Sequence, residues 1–332
     1  MGVGLKYNIV MPHKALKIAV AYRGIPHSKG WATGDNLVRA FKRLGHEVYA
    51  YGNYYGTQEK LDDRRLPKEL DLLVYCECND DDPQYTELRQ QKARARVYWD
   101  FDVDNGRQGA AEQLAKQVGF DMICHANKLY SDYFKKFASR TLCLPYAFDD
   151  EHFKNLKVKT KFDVAIIGSP YPQRVQYVKK LKKMGVVVEF IQGKYKEDFI
   201  LAINELKIHL NLNIFGPGGN GLLVGRVWET IGCGTFLLTQ RKDFIEDFFE
   251  DGKHLALFDS PEECAGKIKY YLSHESEREK IARQGYEHGL KHHTYVARAQ
   301  TILDEAADFL DNPAWTPAPS LRQKAKKILK IN

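Results

Sequence analysis

The chain has 332 residues, a formal net charge of +7 at neutral pH, 44% hydrophobic and 28% charged residues. This length suffices for two α/β domains that each bury a core, and the composition excludes a disordered or fibrous protein. The apolar runs are far shorter than the roughly 18 residues of a membrane span, and the N-terminus lacks a signal-peptide pattern. The sequence therefore predicts a cytoplasmic protein without a transmembrane helix. Its positive charge favours an acidic partner, namely a nucleotide diphosphate, a nucleic acid or an anionic membrane surface.

Short apolar runs alternate with helix-like segments through the first 150 residues. Residues 16–22 are predicted as the first strand and residues 31–44 as the helix after it, because Leu37, Phe41 and Leu44 recur at helical spacing. Further strands are predicted at 47–51, 71–76, 95–99, 121–125 and 141–144, and helices at 86–92, 109–118 and 128–137. Such alternation indicates a parallel sheet with right-handed crossovers. Residues 1–150 are therefore predicted to form a Rossmann-like domain.

A second series of strands and helices follows a polar linker. Residues 151–161 are rich in lysine and show no apolar period. Strands are then predicted at 162–168, 186–191, 208–213, 235–239 and 254–258, and capping boxes at 260–263 and 276–279 predict the starts of two of three closing helices. Residues 162–311 are thus predicted as a second Rossmann-like domain. The basic segment 312–332 has an apolar helical face and is predicted to pack back on the first domain.

The turn after the first strand of the second domain has the residues of an anion site. Gly168 and Ser169 follow the strand, and Arg174 lies one turn into the next helix. A glycine permits close backbone approach, and a helix N-terminus presents free N–H groups and positive potential. The turn therefore fits a phosphate group, although an ordinary tight turn between a strand and a helix has the same pattern.

A glycine-rich loop precedes another helix of the second domain. Its open backbone N–H groups are predicted to cradle an anion at Gly218, Gly219 and Asn220. Arg226 and Glu229 stand three residues apart and therefore on one helical face. The arginine is suited to a diphosphate and the glutamate to ribose hydroxyls. The alternative is a solvated ion pair between these two side chains.

The two loops match no dinucleotide-binding or P-loop signature, which lowers the ranking of dehydrogenases and of P-loop NTPases. Residues 225–239, GRVWETIGCGTFLLT, and residues 248–254, FFEDGKH, resemble the CgeB-like, spore-maturation-type glycosyltransferases. The similarity extends over about residues 162–303 and includes the closing helices. The first half is similar, more loosely, to the first domain of GT-B glycosyltransferases around residues 31–48 and 144–149.

This resemblance implies a GT-B fold, in which two Rossmann-like doubly wound domains face a central cleft. It implies transfer of a sugar from a nucleotide diphosphate sugar, in the first place a UDP-sugar, to a hydroxyl acceptor. In this family Glu229 would bind the donor ribose, while Arg226 and Arg174 would bind the diphosphate in place of a metal, so no cofactor is expected. The acceptor is left open between a glycan, a protein and a small molecule.

A general base, needed if the reaction inverts the anomeric configuration, must come from the first domain. Asp100 at the end of a predicted strand is the first candidate and His27 after the first strand is the second, although either can equally be a helix cap or a loop residue. Asp35, Asp102 and His125 are further candidates. Asp100 and Asp102 also match the D-x-D pattern of a metal-binding class with a single nucleotide domain, so we expect no metal. The six cysteines lack the spacing of zinc ligands.

Other functions fit parts of the same pattern. A hydroxylated DNA base is an alternative acceptor, since the basic tail and the lysines at 179, 180, 182 and 183 could contact phosphates. A nucleotide-sugar epimerase can share the two-domain architecture. A non-catalytic nucleotide-binding module is a further alternative, as is peripheral membrane docking through the basic amphipathic tail.

Overall fold

The computed structural model describes residues 15–77, 83–101, 108–213 and 223–311. The chain divides into two compact units. Unit 1 consists of the described residues up to Pro145 and those from Tyr295 onward, and unit 2 of Tyr146–Thr294. Each unit is built on a parallel sheet with helices, which confirms the predicted α/β class with two doubly wound domains.

The strands of unit 1 are β1 (Lys17–Ala21), β2 (Glu47–Tyr51), β3 (Glu69–Cys76), β4 (Lys92–Asp100), β5 (Met122–His125) and β6 (Arg140–Cys143). Its helices are α1 (Thr33–Arg43), α2 (Pro83–Glu87), α3 (Gln108–Val118), α4 (Ser131–Phe134) and, at the end of the described chain, α10 (Tyr295–Asp311). The strands pair in the order β2-β1-β3-β4-β5-β6. All of these pairs are parallel, so the carboxyl ends of the strands meet at one edge.

Helix α10 belongs to unit 1, whereas the sequence-based division assigned its residues to the second domain. It packs on α1 and β4 with a buried face that includes Val296, Ala299 and Ile302. The Tyr295 ring lies 6.2 Å from the Trp99 ring. Helical periodicity identifies the helix and its apolar face, but it does not specify which sheet covers that face. Residues 312–332, which were expected to pack on this domain, lie outside the described ranges.

The strands of unit 2 are β7 (Phe162–Ile167), β8 (Glu189–Ile191), β9 (Leu206–Asn211), β10 (Phe236–Gln240) and β11 (Ala256–Phe258). Its helices are α5 (Pro172–Lys183), α6 (Lys196–Asn204), α7 (Gly225–Gly232), α8 (Pro261–Ser273) and α9 (Glu275–His292). The parallel strands are ordered β11-β10-β9-β7-β8, so the strand order reverses between β7 and β9. None of the described helices in either unit is both long and apolar enough to cross a membrane.

Two sequence predictions of local structure are wrong. Residues 86–92, predicted as one helix, contain the end of α2, a short 3-10 helix at Leu88–Gln90 and the first residue of β4. Ser276 does not cap α9, because that helix already begins at Glu275 and only His274 separates it from α8. The other predicted cap is confirmed, since Ser260 Oγ accepts the N–H of Glu263 at 3.1 Å.

We expect Gly34→Ala to destabilise unit 1. Gly34 lies in the first turn of α1, where an added Cβ atom would lie 2.0 Å from Cγ of the Tyr22 ring. That ring is buried, and its hydroxyl donates to Asp35 Oδ1 at 2.6 Å, which opposes a shift of the ring. Overpacking of this kind costs about 1–3 kcal/mol, which denaturant unfolding would measure.

The matched control is Gly266→Ala in α8, where an added Cβ meets no atom within 4 Å. Alanine is favoured over glycine in a helix by roughly 1 kcal/mol, so this variant should be slightly stabilised. Equal stabilities of the two variants would contradict the packing argument.

Candidate functional site

The carboxyl edge of the unit 2 sheet has a crevice at the point where the strand order reverses. Crossovers from β7 and β9 leave toward opposite faces there, and open α/β sheets bind their ligands at such a point. Gly168 follows β7, and Leu212 and Asn213 follow β9. The predicted anion-binding turn therefore lies at the position where this topology favours a ligand.

Two arginine side chains converge on the turn after β7. A Cβ atom on Gly168 would lie 3.2 Å from Arg226 Nη2 and 3.4 Å from Arg174 Nη1. Gly168 has a φ of +138°, a backbone conformation that other residues rarely adopt. The glycine thus leaves a space bounded by two guanidinium groups. Two cations held this close together favour an anion beside them.

Backbone carbonyl groups hold both arginines in place. Arg174 donates from Nη1 to the Ser169 oxygen at 3.2 Å and from Nη2 to the Leu212 oxygen at 3.3 Å, and so joins the ends of β7 and β9. Arg226 donates from Nε to the Ile167 oxygen at 2.8 Å. Burial lowers the pKa of Arg174, and the charge of Arg226 lowers it further. Within the described ranges Arg226 makes no ion pair, so its Nη atoms are available to a ligand.

Glu229 lies one turn after Arg226 on α7. Its carboxylate points toward the start of the helix, with Oε1 3.7 Å from the position of a Cβ atom on Gly225. Among the residues that the structure describes, Glu229 and Arg226 form no ion pair, so the alternative of a solvated pair is not realised. Burial raises the pKa of the Glu229 carboxyl, and the charge of Arg226 opposes this shift. The carboxylate is therefore a poorly solvated acceptor near Arg226.

A buried histidine supports the first turn of α7. The Thr230 hydroxyl donates to the Arg226 carbonyl oxygen at 2.6 Å, so His209 donates from Nδ1 to Thr230 Oγ1, also at 2.6 Å. Burial, followed by the charges of Arg226 and Arg174, lowers the pKa of His209 to about 3. The imidazole is therefore neutral and adds no third positive charge to the site.

Buried amide and hydroxyl groups join the ends of β9 and β10. Asn211 Nδ2 donates to Asn213 Oδ1 at 2.8 Å and to Thr239 Oγ1 at 3.0 Å, and Asn213 Nδ2 donates to the Gln240 carbonyl at 2.9 Å. Neither this network nor His209 was predicted from the sequence. The available signal was asparagine at two alternate positions of an apolar strand that leads into the glycine-rich loop. Gly218, Gly219 and Asn220 of that loop lie outside the described ranges.

The candidate bases lie at the carboxyl edge of the unit 1 sheet. Asp100 ends β4, is buried, and stands opposite His125 of β5 in the strand register. His27 is exposed on the 3-10 helix Pro26–Ser28 after β1. Asp35 is occupied as a helix cap, since its Oδ2 accepts the Ala32 N–H at 3.0 Å. Asp102 lies outside the described ranges, and within them no three His, Cys, Asp or Glu side chains are grouped to hold a metal ion.

We expect Glu229→Gln to raise the thermal stability of the unliganded protein. The pKa of the folded-state carboxyl is raised above its ordinary value of 4.5, so the folded state binds the proton more tightly than the unfolded state. The ionised carboxylate therefore costs stability, and this cost appears as the pH rises through the raised pKa. The Tm difference between the variant and the wild type should be near zero below the ordinary pKa and positive at neutral pH.

Glu189→Gln removes an exposed carboxylate of the same sheet and is the matched control. Thermal unfolding of all three proteins across this pH range would measure the effect. A Tm difference that shrinks with rising pH would show that the Glu229 carboxylate is well solvated or paired.

Comparisons with known proteins bear on the family of the second half of the chain and on the fold. Residues 150–304 match the family model described as Glycosyl transferase-like. An α-glucosyltransferase in complex with UDP-glucose and DNA containing an abasic site is similar, with a TM-score of 0.64 and 12% identity over 90% of this chain and 100% of that chain. T4 phage BGT in complex with UDP and Mn²⁺ gives a TM-score of 0.57 and 13% identity over 90% and 100% of the two chains. Anabaena Alr3699/HepE in complex with UDP and glucose gives 0.56 and 12% over 88% and 100%.

No curated protein sequence is significantly similar to this chain. At these low identities the solved structures establish the fold, and the family match establishes the class of the second domain. Residues 150–304 therefore match a glycosyl transferase-like family, and the chain has the two-domain α/β fold of the GT-B glycosyltransferase structures.

Proposed function

We propose that this chain transfers a sugar from a nucleotide diphosphate sugar, in the first place a UDP-sugar, to a hydroxyl acceptor. The observation that carries the proposal is the pair of guanidinium groups around Gly168 at the strand reversal of unit 2. UDP or UDP-glucose is bound in the similar solved structures, which supports uridine as the first base to test. Within the glycosyltransferases, residues 225–239 and 248–254 support the CgeB-like type.

The geometry suits stabilisation of a departing diphosphate. As the bond from the sugar to the diphosphate breaks, negative charge grows on the phosphate oxygens, and Arg226 and Arg174 can donate charge-assisted hydrogen bonds to them. The Glu229 carboxylate, one turn along α7, is positioned to accept hydrogen bonds from the ribose hydroxyls. We propose that the two arginines act in place of a metal ion. Because the T4 phage BGT structure contains Mn²⁺, nucleotide binding must be measured with and without a chelator.

A reducing compartment agrees with the state of the cysteines. The five described cysteines are free thiols, and four of them are buried. Structural disulfides are rare in the cytosol and common in secreted proteins. We therefore propose that the enzyme acts in the cytoplasm.

A second candidate acceptor is a hydroxylated base in DNA. The observation that favours it is the similarity to the α-glucosyltransferase whose structure contains DNA. Such an enzyme must take the base out of the helical stack before transfer. Transfer of labelled sugar to duplex DNA with hydroxymethylated cytosine, compared with unmodified duplex and with oligosaccharides, would separate this acceptor from a glycan.

We expect one family of nucleotide diphosphates to raise the Tm of the wild type, because a ligand that binds only the folded state stabilises it by mass action. The shift should persist in chelator. Arg226→Ala removes charge-assisted hydrogen bonds and should weaken binding about tenfold to hundredfold. Glu229→Ala and Gly168→Ala should also weaken it, the latter because its methyl group would press on both guanidinium groups.

Two variants serve as matched controls for this screen. Arg283→Ala removes an exposed arginine of α9, and Gly252→Ala introduces a side chain at a φ of +74° with no atom within 4 Å. Both should retain the ligand-induced shift. The absence of a shift with every nucleotide, or equal losses in variants and controls, would refute the proposed donor site.

We propose Asp100 as the general base of an inverting reaction, with His27 as the second candidate. Asp100→Asn keeps the size of the side chain and should lower kcat about a hundredfold or more, while the donor-induced Tm shift is retained. His27→Ala should then have little effect on kcat. The reverse result would assign the base to His27, and an unchanged kcat in both variants would exclude both residues.

A further inference from the structure

The amino-terminal edge of the unit 2 sheet carries a dense group of unpaired lysines. Residues 154–189 contain eight lysines and one arginine, against one aspartate and one glutamate. Lys161 and Lys207 pair with Glu205 and Asp163 at 2.5 and 2.7 Å. The remaining lysines at this edge are exposed and make no ion pair within the described ranges; they are Lys154, Lys157, Lys159, Lys179, Lys180, Lys182, Lys183 and Lys269.

These lysines come from three segments that the fold brings to one edge. Residues 154–161 lead into the amino end of β7, and α5 returns from the carboxyl edge so that its last turns reach the amino edge. Helix α8 packs on α5. A Cβ atom on Gly185, just after α5, would lie 4.0 Å from Lys269 Nζ. The positive charges therefore lie at one edge of the sheet, although they are far apart in the sequence. Lys157 and Lys159 line a pocket there together with Glu275 and Glu279 of α9.

Exposed apolar side chains lie among the same lysines. Leu156 is 36% exposed, Val158 38%, Tyr270 43% and Val187 70%. Leu156 and Val158 alternate with lysines in the segment before β7, Val187 follows the last lysines of α5, and Tyr270 follows Lys269. Single exposed apolar residues are ordinary on protein surfaces. Here four of them share one edge with eight unpaired lysines, and we call these twelve residues the lysine edge.

We propose that the lysine edge binds the surface of a membrane that contains anionic lipids. The ammonium groups can neutralise lipid phosphates, while the aliphatic stems of the lysines and the four apolar side chains can enter the boundary between headgroups and acyl chains. A nucleic acid would also attract the lysines. However, a phosphate backbone provides no apolar contact for Leu156, Val158 or Val187, so the combination favours a lipid surface.

This edge lies at the opposite end of the sheet from the proposed donor site. Helix α5 begins close to Gly168 and its 12 residues span roughly 18 Å before they reach the last lysines. Docking at the amino edge would therefore leave the carboxyl edge of unit 2 uncovered. The proposal does not depend on the identity of the donor or of the acceptor.

Flotation with vesicles would test the proposal. The full chain should float with vesicles of phosphatidylcholine that contain one quarter phosphatidylglycerol, and it should remain unbound with pure phosphatidylcholine. A lysine variant, K179Q/K180Q/K182Q/K183Q, should bind the anionic vesicles at least tenfold more weakly. A charge-matched control, K17Q/K42Q/K68Q/K291Q, removes four exposed lysines elsewhere and should bind within twofold of the wild type.

An apolar variant, L156S/V158S/V187S, separates lipid from nucleic acid. It should lose vesicle binding while any binding to duplex DNA is unchanged, because it keeps every lysine. All variants should retain the cooperative thermal unfolding of the wild type, which reports an intact fold. The proposal is overturned if the wild type does not bind anionic vesicles, if the charge-matched control loses as much as the lysine variant, or if only DNA binding responds to the lysine variant.

Discussion

The close approach of two guanidinium groups in unit 2 is the constraint on which the candidate site depends. Arg174 and Arg226 repel each other, and the protein keeps them together by giving each a backbone carbonyl acceptor at a strand end. The absence of a side chain at Gly168 leaves space beside both groups. An unliganded site of this kind stores unfavourable electrostatic energy, which an anionic ligand can relieve. The same groups that cost stability in the free protein would thus provide affinity for the diphosphate of the proposed donor.

Burial and the two positive charges also affect the residues around this arginine pair. His209 is kept neutral by burial and by the two positive charges, and its hydrogen bond to Thr230 fixes the start of α7 without adding charge. Burial raises the pKa of Glu229, which lies near Arg226 without forming an ion pair with it among the described residues. Burial thus keeps the histidine uncharged at any ordinary pH and makes the ionised form of the glutamate less favourable than in water. Such arrangements are typical of sites that act on a ligand, since stability alone would favour paired charges.

The two edges of the unit 2 sheet differ in charge distribution and in chemistry. At the carboxyl edge there is a small number of charged groups, and hydrogen bonds hold them at defined positions. At the amino edge, many lysines are exposed and make no ion pair within the described ranges, which suits an extended anionic surface better than a defined ligand. Helix α5 connects the two, because Arg174 lies in its first turn and the lysines lie in its last turns. One helix reaches both edges because a crossover helix runs antiparallel to the strands that it connects.

The order of strands and helices followed from the sequence because apolar periodicity is a local property. β2 was predicted at its observed bounds, and Arg174, Arg226 and Glu229 were singled out because glycine turns precede helix starts at those positions. The packing of α10 on unit 1 could not be predicted from the sequence, since an apolar helical face does not specify the sheet on which it packs. His209 and the Asn211 network were not predicted for a related reason: the role of a polar residue in a buried strand depends on the partner that the fold places beside it.

The sequence by itself determined the fold class, the glycosyltransferase resemblance and the two arginines as donor candidates. Only the tertiary structure decided that these arginines lie side by side at Gly168 and that the scattered lysines share one edge, because both depend on strand order and crossover direction, which are not local properties of the chain.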